Sequence, residues 1–220
     1  MKYALFDMDG VLLDSERGSF AIVQNSLEQI GISEPVDDLM ERYVGMTPRA
    51  IGEDIIRRHR KNIPVEDFLS IHLNRGSYYE VCEDLRPTEG LVDFLEFLRE
   101  RKVRMAVVSS TPSRNVLIAL NRMKILSYFE AVVCGDTLST SKPSPEGYLK
   151  AAEYLGAEPS ECMVIEDSKA GVQAGKNAGM FVAAYKETSP GQDTSGADLE
   201  VFSFRELEEA LTRNPEFRIC

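Results

Sequence analysis

Five short runs, residues 3–6, 103–108, 131–134, 162–165 and 181–184, are apolar and rich in β-forming side chains, and each reads as a buried strand. Between them the apolar positions change period. Leu91, Phe94, Leu95 and Leu98 recur at three-and-four spacing, as do Val116 with Leu120 and Leu149 with Ala152 and Leu155, so each group marks one face of a helix. From about residue 88 onward strand and helix alternate, which predicts a parallel sheet wrapped by helices on both faces. The stretch from 15 to 86 breaks that alternation. It offers no strand pattern, while Phe20, Val23, Leu27 and Ile30 share one helical stripe and Ile51, Ile55 and Ile56 another, so an all-helical insertion is expected there. The expected division is therefore an α/β domain of residues 1–14 and 87–220 and a helical domain of residues 15–86. In Arg86-Pro87-Thr88-Glu89-Gly90, Pro87 is expected to stop the preceding helix and Thr88 to cap the next. Residues 188–196, rich in Ser, Thr, Gly and Pro, read as a mobile surface loop.

A chain of 220 residues is long enough to bury a core for such a domain and an insertion. Charge narrows the partners. The 25 Lys and Arg against 36 Asp and Glu leave a formal charge of −11, which disfavours nucleic acid, whose binding rests on basic contacts to phosphate. A small anionic ligand stays open, because a few cations or a bound metal reverse the sign locally in a cleft. Cys82, Cys134, Cys162 and Cys220 form no C-x-x-C pair, so neither a zinc site nor a disulfide framework is expected, and a reducing compartment fits. The first apolar run meets Asp7 too soon for a signal peptide, and no apolar stretch reaches the roughly 20 residues that span a bilayer. The expectation is a cytoplasmic protein, a monomer or weak dimer, that acts away from the membrane.

The candidate chemistry lies at the ends of the predicted strands. Phe6-Asp7-Met8-Asp9-Gly10-Val11-Leu12 places two carboxylates one residue apart just after the first strand, where alternation turns side chains at i and i+2 the same way. Alone, the run reads equally as a turn. A calcium loop is disfavoured because Gly18 stands where the bidentate glutamate would be required. Three further clusters change the balance. Val107-Val108-Ser109-Ser110 ends the second strand in hydroxyls, Ser141-Lys142-Pro143 sets a lysine before a helix, and Glu166-Asp167-Ser168-Lys169-Ala170-Gly171 ends another strand in paired acids. In a parallel sheet such groups gather on one rim, outside the carboxyl ends of the strands.

The set D-M-D-G-V-L, V-V-S, S-K-P and E-D-S-K-A-G, in this order and at these separations, resembles the four motifs of the haloacid dehalogenase-like superfamily. Within it, the pattern is most similar to the β-phosphoglucomutase and phosphoglycolate phosphatase-like group, which also has counterparts of Asp14-Ser15-Glu16. The resemblance implies a Rossmann-like α/β core with a helical cap inserted, Mg2+ as cofactor, and a small phosphorylated metabolite as substrate. It implies Asp7 as nucleophile, Asp9 as general acid and base, Lys142, Ser109 and the Ser110 amide on the phosphoryl group, and a metal held by Asp7, Asp167 and the Asp9 carbonyl. Glu166 would either orient metal-bound water or face solvent beside the ligand. Gly10, Gly171 and Gly175 are assigned to turns and close packing. The chemistry agrees, since a carboxylate approaching a phosphate dianion is repelled by about 4 kcal/mol per charge pair at 4 Å and an effective dielectric of 20, so the site must supply positive charge.

Val44-Gly45-Met46-Thr47-Pro48-Arg49 is similar to the family's specificity loop, so Arg49 is a candidate partner for a second phosphate or a carboxylate. The plainer reading is a solvated arginine in the first turn of a helix capped by Thr47. His59 and His72 lack partners at metal or triad spacing and read as surface or packing residues. Ser19 stands where mutases of the group usually carry a histidine, which favours a phosphatase over the alternative, a phosphosugar mutase. A catalytically silent binding module is disfavoured because no expected catalytic residue type is missing. A dehalogenase is disfavoured because Asp9 is typical of phosphoryl-transfer members.

Overall fold

The structure, a computed structural model, describes residues 1–43, 46–74, 76–188 and 191–213. The chain divides into two compact units, Met1–Asp14 with Leu85–Cys220, and Ser15–Asp84.

The first unit is built on six strands, β1 (Tyr3–Phe6), β2 (Arg104–Ser109), β3 (Ala131–Cys134), β4 (Cys162–Glu166), β5 (Phe181–Tyr185) and β6 (Leu199–Val201). All pair in parallel, in the order β3-β2-β1-β4-β5-β6. β1 is flanked by β2 on one side and β4 on the other, so the strand order reverses there and a crevice opens at the carboxyl ends. Register fixes what meets in it. Phe6 lies opposite both Val107 and Ile165, which brings Asp7, Ser109 and the Glu166-Asp167 pair to the same rim.

The second unit holds α1 (Glu16–Gln29), α2 (Val36–Tyr43), α3 (Pro48–Arg58), α4 (Val65–Asn74) and the single turn α5 (Tyr78–Val81). Phe20, Val23, Leu27, Ile51, Ile55 and Phe68 bury their side chains together in its core. Thr47 caps α3 by accepting from the Ala50 N–H at 3.3 Å, with Pro48 in the first helical position. His59 packs by pairing with the buried Glu34 at 2.6 Å.

Back in the first unit, α6 (Leu91–Glu100), α7 (Ser113–Arg122), α8 (Glu146–Leu155), α9 (Lys169–Asn177) and α10 (Phe204–Arg213) cover the sheet. Leu5, Ala106, Val108 and Val164 form a core cluster with Tyr148 and Leu155 of α8. The alternate strand position, Phe6, meets an aromatic group in which Phe94 contacts Phe97 and Phe204, and Phe204 stacks on Tyr185 at 4.8 Å.

Several local expectations are corrected. The buried face of α8 is Tyr148, Ala151, Ala152 and Leu155, whereas Leu149 is 40% exposed, because the helix rotates its aromatic residue toward the sheet. β2 begins at Arg104 rather than Val103 and runs on to Ser109, which pairs with Cys134. β6 escaped notice because it has three residues and exposes Glu200. Thr88 caps nothing: its hydroxyl is buried without a partner, and Gly90, at φ 75°, sits at the start of α6. The helix before Pro87 has already ended at Val81. Within the expected loop 188–196, Thr194 is buried and bridges Lys186 at 2.9 Å and Glu200 at 2.5 Å, so this part is tied to β5 and β6. Ser189 and Pro190 lie outside the described residues, as do Cys220 and the Val44-Gly45 pair.

The α8 correction has a direct test in urea denaturation. Leu155→Ala is expected to destabilise by about 2–5 kcal/mol through loss of buried contacts. Leu149→Gln should stay within about 0.5 kcal/mol, and a larger loss would return Leu149 to the core.

Candidate active site

Asp7 follows β1 directly, and its N–H still donates to the Ile165 carbonyl at 3.0 Å, as if the ladder continued one residue further. The chain then turns sharply. Gly10 donates to the Leu13 carbonyl at 2.8 Å and adopts φ 84°, a conformation that side chains disfavour. Space demands glycine there as well, since a Cβ at position 10 would stand 2.0 Å from the Asp167 carboxylate. The turn thus lets the acids after β4 approach those after β1.

Lys142, in the segment before α8, reaches into this rim. Its ammonium donates to Asp7 Oδ1, to Glu166 Oε1 at 2.6 Å and to the Val108 carbonyl at 3.2 Å, which uses all three N–H groups. Burial alone would lower the Lys142 pKa, but Asp7 and Glu166 carry it well above its ordinary value, so it stays charged. Its loop is held from behind. Glu146, in the first turn of α8, accepts from the Ser139 N–H at 3.0 Å and from the Thr140 N–H at 2.8 Å. Those amides, with the Thr140 hydroxyl and Lys150, hold the Glu146 carboxyl down at about 2.

Glu166 corrects one sequence reading outright: it does not face solvent but is fully buried. Oε1 accepts from Lys142 and from the Tyr148 hydroxyl at 3.0 Å, while Oε2 accepts from the Asp167 N–H, the Ser168 N–H and the Ser168 hydroxyl at 2.9, 3.0 and 3.0 Å. Such a carboxylate fixes the loop after β4 and anchors the lysine together. Burial opposes its ionisation, yet the Lys142 charge and these donors keep its pKa below the ordinary value. Gly171 makes room for it, because a Cβ there would lie 1.6 Å from Oε1.

Asp7 experiences the opposite balance. Burial raises its carboxyl well above the usual range; Lys142 opposes this, and Glu166, Asp167 and Asp9 add to it. Among the described residues, these acids gather negative charge around Asp7 and Lys142 opposes it. Carboxylate oxygens of Asp7, Glu166 and Asp167 lie within 4.8 Å of one another, a hard oxygen set suited to a divalent cation such as Mg2+. With both Glu166 oxygens already taken, Asp7 and Asp167 are the better candidates for direct ligation.

Ser109 ends β2 with its side chain buried, and its Oγ accepts the Thr111 N–H at 3.0 Å, which leaves the Ser109 proton to be donated elsewhere. Ser110 is exposed beside it. Asp9 is half-buried, and its Oδ2 accepts the Thr111 hydroxyl at 2.8 Å. Thr111, Glu146 and Tyr148 were all missed by sequence reasoning. Nothing in their local sequence distinguishes them; their roles arise from contacts with groups brought in by the fold.

Arg49 lies in the helical unit, exposed at the start of α3. Its guanidinium pairs with Glu66 at 3.2 Å and with Glu53 at 3.5 Å, so an incoming anion must compete with two carboxylates. The same unit contains a cavity of about 320 Å3 whose lining includes Glu16, Ser19, Phe20, Met46, Ile51 and His72. His72 also stacks on Phe68 at 5.7 Å.

Comparison with known proteins places the chain in a family. Residues 4–185 match the family model for haloacid dehalogenase-like hydrolases. A phosphorylated carbohydrates phosphatase of Thermotoga maritima is 33% identical over 181 residues, covering 82% of each chain. A beta-phosphoglucomutase of Bacillus subtilis is 34% identical over 208 residues, 91% of this chain and 89% of the relative. Among solved structures, a HAD family hydrolase from Deinococcus radiodurans with bound phosphate and sodium superposes with a TM-score of 0.81 at 26% identity, covering 96% of this chain and 95% of that one. A family match over most of the sequence and relatives that share a third of their residues lead to one conclusion: this chain belongs to the haloacid dehalogenase-like hydrolases.

Proposed function

We propose that the protein is a magnesium-dependent phosphatase that hydrolyses a small phosphorylated metabolite, a sugar phosphate or similar phosphomonoester, through an aspartyl-phosphate on Asp7. The observation that carries this reading is the buried Lys142 ammonium bonded to Asp7, with Asp9 and Asp167 beside them. A carboxylate nucleophile is useful against phosphorus only where the substrate's charge is neutralised.

In the first step an Asp7 oxygen forms a bond to phosphorus as the bond to the leaving oxygen breaks, and Asp9 gives that oxygen its proton. In the second, Asp9 takes a proton from water as the water oxygen bonds to phosphorus, and the Asp7 carboxylate departs. Ser109 and the Ser110 amide would donate to the phosphoryl oxygens. Lys142 would join them by turning toward phosphate the N–H now spent on Val108, the longest of its three contacts. Magnesium, held by Asp7, Asp167 and the Asp9 carbonyl, would supply the remaining positive charge.

Selection of the leaving group is assigned to the helical unit. Its cavity sets Glu16, Ser19 and His72 beside Phe20 and Met46, a lining that suits a hydroxyl-rich group with one apolar face. Arg49 is retained as a partner for a second anionic group, should one displace its carboxylates. The Bacillus subtilis relative favours a second reading, a phosphosugar mutase. It would use the same chemistry but return the phosphoryl group to sugar instead of water.

Phosphate release from sugar phosphates, phosphoglycolate and nucleotides tests the main reading. Release should stop with chelator, fall by roughly 10⁴-fold or more in Asp7→Asn, and fall by about 10²–10⁴-fold in Asp9→Asn. Isomerisation of β-glucose 1-phosphate without net release would instead establish the mutase. Thermal unfolding tests the metal set: Mg2+ at 100 times its Kd should stabilise the wild type by about 2.7 kcal/mol, and Asp167→Asn should lose that shift. A full shift in the variant would remove Asp167 from the coordination. Arg49→Ala should lower kcat/KM for phosphoglycolate roughly tenfold while sparing monophosphates of uncharged sugars, since a charge-assisted contact is lost only with the former; equal values throughout would end its assigned role.

A further inference from the structure

Thr111 is fixed at three points. Its N–H donates to Ser109 Oγ at 3.0 Å, its carbonyl accepts the Gly135 N–H at 3.1 Å, and its hydroxyl donates to Asp9 Oδ2 at 2.8 Å. Pro112 follows and restricts the Thr111 backbone to extended conformations, and the β-branch restricts χ1. The hydroxyl is thus held by the end of β2, the strand that also presents Ser109, and is aimed at a carboxylate on a different loop 102 residues away. A hydrogen bond of this kind discriminates between the two oxygens of a carboxylic acid. The oxygen that accepts is the carbonyl oxygen of the protonated form, and the proton then resides on the other.

We infer that Thr111 positions the carboxyl of Asp9 for proton transfer, making Oδ1 the oxygen that protonates the leaving group and later takes the proton from water. This rests on the general acid and base role proposed for Asp9. Thr111 touches neither reacting atom and acts through Asp9. Because its backbone is also tied to Ser109, the proton donor is referenced to the same strand end that binds the phosphoryl group. A misplacement of about 1 Å at such a group can cost 10²-fold in rate.

Leaving-group dependence separates this from a general structural role. p-Nitrophenyl phosphate departs with little need of a proton, whereas a sugar phosphate expels an alkoxide and needs one. In Thr111→Val, which keeps the branched shape and loses the hydroxyl, kcat/KM for the best sugar phosphate should fall roughly tenfold to a hundredfold. That loss should be at least about tenfold greater than the loss for p-nitrophenyl phosphate. Thr111→Ser should recover most of it. Thr111→Ala provides the same comparison if the valine variant does not fold. Equal losses on both substrates, or no loss on either, would overturn the proposal. Asp9→Asn, run alongside, tells the two claims apart. A leaving-group-selective loss in Asp9→Asn together with an unselective Thr111→Val sinks only the role of Thr111, and an unselective Asp9→Asn sinks the acid role itself.

Discussion

The ammonium of Lys142, bonded between Asp7 and Glu166 under the rim of the sheet, is the interaction on which the rest of the site depends. A buried charge of this kind is costly to desolvate, and removal of one partner from such a pair typically costs about 3–5 kcal/mol because the other is left uncompensated. The surrounding structure is arranged so that no partner is left so. Glu166 takes hydrogen bonds from five donors, Gly171 gives its carboxylate space, and Glu146 ties down the segment from which the lysine projects. Each of these residues serves the same end, a cation fixed beside Asp7, the proposed nucleophile. Preorganised charge of this kind needs no rearrangement at the moment of reaction.

The acids in the crevice are a different matter. Asp7, Asp9, Glu166 and Asp167 crowd a partly buried space, where burial raises the Asp7 pKa, Lys142 opposes the rise and the other three acids add to it. A fold selected for stability alone would not gather them. Parallel register brings the acids together, because β1 and β4 are neighbours and Phe6 lies opposite Ile165, so Asp7 and Glu166 each follow directly. A hard divalent cation on the carboxylates and a phosphoryl group on the lysine, as proposed above, would offset that charge. The same register that stabilises the sheet thereby gathers the residues of the candidate site.

Much of this was legible in the sequence, and the limits have physical causes. The strands stood out because they are apolar throughout, and the polar clusters that follow them stood out because strand ends in a parallel sheet have a predictable destination. What failed was orientation. Leu149 and Tyr148 are adjacent on α8, and the apolar pattern does not say which of them turns inward; the need of Glu166 for a hydroxyl partner favours the tyrosine. The sequence leaves Glu166 open between orienting metal-bound water and facing solvent. Its five donors, of which Lys142 and Tyr148 come from a distant segment, put it inside. Thr111 and Glu146 carry no motif of their own, since a threonine before a proline and a glutamate in a helix's first turn are ordinary. β6 was invisible for want of length.

Phosphatase and mutase differ in how long the phosphoryl group stays on aspartate and in what removes it, and both outcomes begin with the same residues. The core geometry fits both readings, and the names of two relatives about a third identical to this chain divide between the two activities. The difference has to reside in what approaches the aspartyl-phosphate after the leaving group departs. In the proposed role Asp9 would activate whichever hydroxyl is presented to it, water or sugar, and would distinguish them only by position. With Oδ2 accepting from the Thr111 hydroxyl, the proposed proton transfer would run through Oδ1 alone. On that reading, the choice between hydrolysis and return to sugar passes to whatever holds the second nucleophile in that direction.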